Sequence, residues 1–289
     1  MPTVGFIGLG NMGSALAGNL VQAGIELVTY DAMGPQRSPE GATPLAEAAE
    51  VARQADVVVF SLPDGRVSEQ VAKEIVAAPG RRTTHVVDTS TIGVRLAGSV
   101  CKLLGDAGIS YIDAPVSGGV AGARARTLVV MYAGADDACA HVEAVLAGLS
   151  DRRHRVGEVP GMAQALKLAN NFLSATALAA TSEAIAFGLS VGLDMAKMLE
   201  VLSVGSGQNT ATNDKFPNQV LTGRYAAGFA NTLMSKDVQL YLEEVAEQGG
   251  PVQIANVTAA MWKQFATAEP GADFTRIFPF VEGGHAQSQ

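Results

Sequence analysis

The chain is 289 residues long, enough for one large or two modest domains with ample apolar material for a core. Its residues are 48% hydrophobic and only 17% charged. The charged share is well below the average of about 25%, so part of the surface is expected to be covered, most simply by a second copy of the chain. A net charge of −8 without a compensating Lys/Arg run argues against nucleic-acid binding.

The two cysteines, Cys101 and Cys139, have neither metal nor disulfide spacing and fit a reducing cytoplasm. The four histidines (His85, His141, His154, His285) form no metal-like motif, so no metal is expected. No basic leader precedes the first strand, and no signal peptide is expected. A long apolar stretch over 161–192 interrupts its charge-free interior with Asn170, Asn171 and hydroxyl side chains, so a buried helix is preferred there to a membrane span.

In chain order, 3–7 reads as a short apolar strand running into Gly8-Leu9-Gly10-Asn11-Met12-Gly13. A helix over 14–22 ends at Gly24, and Leu27-Val28-Thr29-Tyr30-Asp31 is a second strand closed by an acid. This is the strand, Gly-x-Gly-x-x-Gly, helix, strand, acid order of a dinucleotide-binding unit. The first glycine permits the tight turn and the second lets a pyrophosphate approach the backbone. The third lets helix pack on strand, and the helix N-terminus offers free N–H groups. Asp31 lies 23 residues after Gly8, where a carboxylate accepts from a ribose 2′-OH and repels a 2′-phosphate. NAD is therefore favoured over NADP, although Arg37 in the following loop can soften that preference.

The alternation continues with strands over 57–62, 86–88 and 111–114 and helices over 67–77 and 93–104. A strand over 127–132 and a helix over 136–146 complete the first region. Such βα alternation predicts a doubly wound parallel sheet, with ligands beyond the carboxyl ends of its strands. Leu62-Pro63, Ser90-Thr91 and Ser117-Gly118-Gly119 fall at such ends. Successive N–H groups at Ser117-Gly118-Gly119 can form a concave anion site for a substrate carboxylate, and an ordinary loop glycine pair fits equally well.

Residues 161–188 contain no internal glycine or proline and read as one helix, with Lys167 and Asn171 four apart and on one face. A lysine near a helix N-terminus and among apolar neighbours has its charged form disfavoured, which suits proton exchange. On these residues alone, a snorkelling lysine is the simpler reading. Further helices are expected over 195–202, 214–221, 234–247 and 252–266, with a frayed tail over 283–289. Lys236-Asp237 reads on composition as a solvated helix face.

Together these stretches resemble the β-hydroxyacid dehydrogenase family, with its 3-hydroxyisobutyrate dehydrogenases, over essentially the whole chain. Gly5 to Gly13 is similar to the family's opening signature and Asp113 to Gly119 to its substrate-binding signature. Lys167-Leu168-Ala169-Asn170-Asn171 resembles its catalytic motif, and Lys236-Asp237 its late Lys-Asp motif. The resemblance implies an α/β Rossmann domain over 1–160, a long interdomain helix over 161–192, and an all-α substrate and dimerisation domain over 193–289. It implies NAD(P)-dependent oxidation of a short 3-hydroxy acid to the semialdehyde or keto acid, by a homodimer or homotetramer. Lys167 would exchange the hydroxyl proton and Asn171 assist, both touching substrate. Ser117, Gly118 and Gly119 would hold its carboxylate. Leu62, Pro63, Thr91 and Lys236 would line the cofactor with Gly8, Gly10, Asn11, Met12, Gly13 and Asp31.

The chain departs from the family pattern at Arg126, at Gly161-Met162-Ala163 and at Ala133-Gly134. Arg126 raises the idea of a second anionic group on the substrate, against the plainer reading of a surface arginine. Imine reductases share the glycine signature but usually lack the lysine, and 6-phosphogluconate dehydrogenase has a far larger helical domain. A non-catalytic sensor of NAD state remains the reading of a different class.

Overall fold

The structure, a computed structural model, describes residues 3–284, so His285 and most of the tail expected over 283–289 lie outside the described residues. It divides into two compact units, Met1–Lys167 and Leu168–Gln289, with the boundary inside one long helix.

In the first unit, the strands are β1 (Val4–Ile7), β2 (Leu27–Tyr30), β3 (Thr43–Pro44), β4 (Val57–Phe60) and β5 (His85–Asp88). They are followed by β6 (Ser110–Asp113), β7 (Val116–Ser117), β8 (Val129–Ala133) and β9 (Arg152–Gly157). All share one sheet in the order β3-β2-β1-β4-β5-β6-β8-β7, with β9 paired to β8. The connecting helices are α1 (Asn11–Gln22), α2 (Ala48–Gln54), α3 (Gly65–Ala77) and α4 (Val94–Gly105), then α5 (Gly119–Arg124), α6 (Asp136–His141) and α7 (Glu143–Leu149).

Strands β1 and β4 are buried at every position, as parallel strands covered on both faces must be. Their side chains alternate between two core layers. Phe6, Val57 and Val59 join Leu16 and Leu20 of α1 on one face. Ile7, Val58 and Phe60 join Val71 and Ile75 of α3 on the other. This is the doubly wound arrangement expected.

Pairing is parallel from β3 through β6. Strict βα alternation then fails, because β8 runs antiparallel to both β6 and β7. The link from β7 to β8 contains only the short α5, and a parallel crossover needs about a dozen residues or more. The helix expected over 136–146 is two helices meeting at Val142.

Helix α8 (Met162–Ser190) has 29 residues and is about 43 Å long. It is followed by α9 (Met195–Leu202), a π-helical segment Ala211–Val220, α10 (Asn231–Glu247), α11 (Gln253–Ala268) and α12 (Ile277–Glu282). Pro217 inside the π-helical segment has no N–H to give a regular α ladder. By length and a mean hydropathy of 1.4, α8 would suit a membrane span. Its Ala175, Leu178 and Ile185 are instead built into the helical core with Trp262 and Phe265, and the Trp262 indole N–H donates to the Ala175 carbonyl at 3.2 Å.

Candidate active site

The glycine loop joins the carboxyl end of β1 to α1, at the point where the sheet order reverses between β2 and β4. Doubly wound folds bind dinucleotides at such a point. Gly13 is required by close approach, since a Cβ there would lie 1.9 Å from the Gly8 carbonyl oxygen. Beside Gly10, by contrast, an added Cβ would meet nothing within 4 Å. Gly10 precedes α1 with no side chain capping the helix, so the first N–H groups face an open cradle suited to a pyrophosphate. Asp31 closes the loop. Its carboxylate accepts from the Leu9 N–H at 2.5 Å and the Met33 N–H at 2.8 Å. Arg37 is exposed in the following turn. These residues fit a nicotinamide dinucleotide.

At the carboxyl ends of β4 and β5, the Leu62 N–H donates to Ser90 Oγ at 2.8 Å, which ties the Leu62-Pro63 turn to the Ser90-Thr91 turn. Asp88 at the end of β5 is fully buried and accepts from the Ser90 N–H at 2.9 Å and the Tyr111 hydroxyl at 3.3 Å. Burial pushes its carboxyl up to about 6 against these hydrogen bonds. Ser117, Gly118 and Gly119 form the turn from β7 into α5, with Gly118 at φ 134° and Gly119 at φ 67°.

Lys167 stands at the end of the first unit, in the second turn of α8, and is only 7% exposed. Lysines are rarely buried so far. The start of this helix is held by Asp113 at the end of β6, whose Oδ2 accepts from the Gln164 N–H at 2.9 Å. The carboxyl also receives the Gly161 N–H, while burial, the larger effect, drives it up to about 7. Arg126 has a different task. At φ 58°, it spends its guanidinium on the Gly148 and Ala147 carbonyls at 2.8 and 2.9 Å and on Asp151 at 3.3 Å, closing the end of α7. Arg126 is thus a half-buried tether of the fold, not the plain surface arginine of the simpler reading, and its guanidinium is already engaged.

In the second unit, Asn171 is 5% exposed and its Nδ2 donates to Asp237 Oδ2 at 2.6 Å. Asn170 Nδ2 donates to Asn171 Oδ1 at 3.0 Å. Asp237 is itself 2% exposed, which corrects the expectation of a solvated face for the Lys236-Asp237 pair. Lys236 Nζ lies 3.2 Å from Asp237 Oδ1. The buried Gln164 and Asp88 carry no sequence signal of their own, and Asp237 is marked only by its place in the Lys236-Asp237 motif. A glutamine three residues after a helix start reads as an ordinary capping residue. Among the described residues, no three His, Cys, Asp or Glu side chains are grouped to hold a metal.

A dinucleotide cradle on a Rossmann-ordered sheet defines a nucleotide-binding domain of the kind nicotinamide-dependent oxidoreductases use. Residues 3–157 match the family described as the NAD binding domain of 6-phosphogluconate dehydrogenase. Residues 161–281 match the NAD-binding domain of NADP-dependent 3-hydroxyisobutyrate dehydrogenase. The probable 3-hydroxyisobutyrate dehydrogenase of Mycobacterium tuberculosis is 33% identical, over 96% of this chain and 97% of its own. The 2-(hydroxymethyl)glutarate dehydrogenase of Eubacterium barkeri is 31% identical, over 90% and 88%. A solved structure of M. tuberculosis 3-hydroxyisobutyrate dehydrogenase with L-serine superposes with a TM-score of 0.90 at 30% identity, covering 97% of this chain and 99% of that one. The chain thus belongs to the β-hydroxyacid dehydrogenase family of NAD(P)-dependent enzymes. An imine reductase from Pseudomonas sp., at a TM-score of 0.64 and 20% identity, shares the fold alone.

Proposed function

We infer that the enzyme oxidises a short 3-hydroxy acid of the 3-hydroxyisobutyrate kind, reversibly, with Lys167 as general acid/base and Asn171 beside it. The observation that carries this reading is the burial of a lysine and an amide one turn apart on α8. Lys167 takes the hydroxyl proton in oxidation and returns it to the carbonyl oxygen in reduction. Asn171, its amide held by Asp237, orients the same oxygen. Ser117, Gly118 and Gly119 offer a hydroxyl and N–H groups to the substrate carboxylate. When bound beside these residues, a nicotinamide dinucleotide would supply the hydride-transfer chemistry. Gly8, Gly10, Asn11, Met12 and Gly13 cradle its phosphates, with Leu62, Pro63, Thr91 and Lys236 as further cofactor contacts. Asp31 favours NAD over NADP.

The enzyme works as a homodimer, or as a homotetramer built from dimers. Leu173, Ala177, Ala180, Ala184 and Phe187 recur every three or four residues on α8 and form an apolar seam on that helix. Leu173 is 66% and Phe187 71% exposed, which leaves apolar surface for a second copy to cover. The free thiols Cys101 and Cys139 fit a cytoplasmic setting. Offering short 3-hydroxy acids with NAD and with NADP, and following absorbance of the reduced cofactor, tests the reading. Turnover of 2-hydroxy acids alone would remove it.

A further inference from the structure

Gln164 lies in the first turn of α8, one turn before Lys167, and is completely buried. Its side chain makes three hydrogen bonds, none of them to its own helix. Oε1 accepts from the Ile92 N–H at 2.9 Å and the Gly93 N–H at 3.3 Å. Nε2 donates to the Ser90 carbonyl at 3.0 Å. Two backbone donors on one side and a carbonyl on the other fix which end of the amide is which. The Gln164 N–H meanwhile goes to Asp113. One residue thus ties the helix that bears Lys167 to the carboxyl ends of β5 and β6. Through Ser90, whose Oγ accepts from the Leu62 N–H, the tie extends to the carboxyl end of β4.

These strand ends are where a doubly wound sheet binds its dinucleotide. From this network we propose that Gln164 is a positioning residue for the reaction: it sets the register of Lys167 against the turns that flank the cofactor. The inference rests on the assignment of Lys167 as proton-exchanging group. A lysine on a long helix can shift by a fraction of a turn if only backbone bonds hold the helix start. The side chain of Gln164 removes that freedom, because any slide of α8 along the sheet breaks three hydrogen bonds in a dry setting. A misplacement of about 1 Å can cost on the order of 100-fold in rate.

The test compares wild type with Gln164→Met, a near-isosteric variant that cannot make the three bonds. Cofactor Kd is measured by titration, kcat by initial rates, and the primary deuterium isotope effect with a carbinol-deuterated hydroxy acid. The expected result is a kcat lowered by about 10- to 100-fold, a raised isotope effect, and a cofactor Kd within about threefold of wild type. A kcat within about threefold of wild type overturns the proposal. So does a loss of rate matched by an equal loss of cofactor affinity, which would make Gln164 a builder of the cofactor pocket instead.

If the methionine variant fails to fold, Gln164→Glu decides. Protonated glutamic acid keeps an acceptor for Ile92 and Gly93 and a donor for Ser90, whereas the carboxylate loses the donor. Its kcat relative to wild type should fall by about tenfold or more from acid to alkaline pH. Parallel pH profiles overturn the proposal. Lys167→Met is run alongside. If it keeps its kcat, the reading under Proposed function fails. If it loses its kcat while Gln164→Met stays normal, the positioning role alone fails.

Discussion

The Nδ2 of Asn171 donates a 2.6 Å hydrogen bond to Oδ2 of Asp237, across 66 residues of sequence and with both side chains buried. The carboxylate dictates the orientation of the amide. With Nδ2 committed to the acid, Asn171 Oδ1 is the atom that accepts from Asn170. Replacing Asp237 by Ala leaves a buried donor unsatisfied, which costs about 1–3 kcal/mol, and releases the amide. A lower melting temperature together with a reduced kcat is expected. Activity at the wild-type level would separate Asn171 from the chemistry.

Lys167→Ala removes the amine while leaving the glycine loop and Asp31 untouched. A loss in kcat of about 10² to 10⁴ is expected, the usual contribution of a placed general acid/base. Cofactor affinity, read by fluorescence titration, should be unchanged. A fully active alanine variant would return the chain to the reading of a cofactor-binding sensor.

The proposed function sets Asp31, its carboxylate bound to the Leu9 and Met33 N–H groups, against a 2′-phosphate. Asp31→Ser removes the charge and keeps a hydroxyl acceptor. The ratio of kcat/KM for NADP over NAD should rise by about tenfold or more, because a desolvated like-charge contact costs more than 1.4 kcal/mol. An unchanged ratio would mean that discrimination lies elsewhere, with Arg37 the next residue to substitute.

Burial raises Asp88 to about 6 and Asp113 to about 7. Aspartates of an unfolded chain titrate near about 3.9, so the folded chain binds these protons more tightly. The associated stability is complete below about pH 4 and is lost as pH rises through the folded values. These two carboxyls should therefore lower the melting temperature progressively from about pH 4 to about pH 8. Asp113→Asn keeps an acceptor for the Gln164 N–H and should flatten part of that slope. Identical slopes in variant and wild type would show that Asp113 does not titrate in this range.

The apolar seam of α8 predicts its own disruption. Phe187→Glu places a charge where a second copy should pack, and sedimentation should show a smaller assembly than wild type. A wild-type protein that sediments as a monomer would leave the seam without its expected cover.

The features legible in the residues alone are those written within a few positions of one another. The glycine loop and Asp31 declare themselves because tight turn, close packing and acid follow in one βαβ unit. Lys167 and Asn171 share a face because four residues make about one helical turn. The apolar runs of β1 and β4 announce a sheet covered on both sides. What the tertiary structure decided is held by long-range hydrogen bonds, which leave no periodic mark. No spacing says that Gln164 reaches 74 residues back to Ser90, or that Asp113 receives the N–H of Gln164 from 51 residues away. Arg126, conspicuous in the sequence, is absorbed by two carbonyls at the end of α7, while Asp237, a solvated face by composition alone, is buried against Asn171. A polar side chain declares its type in the sequence; its partner is chosen only when folding takes both out of water and leaves each no other way to be satisfied.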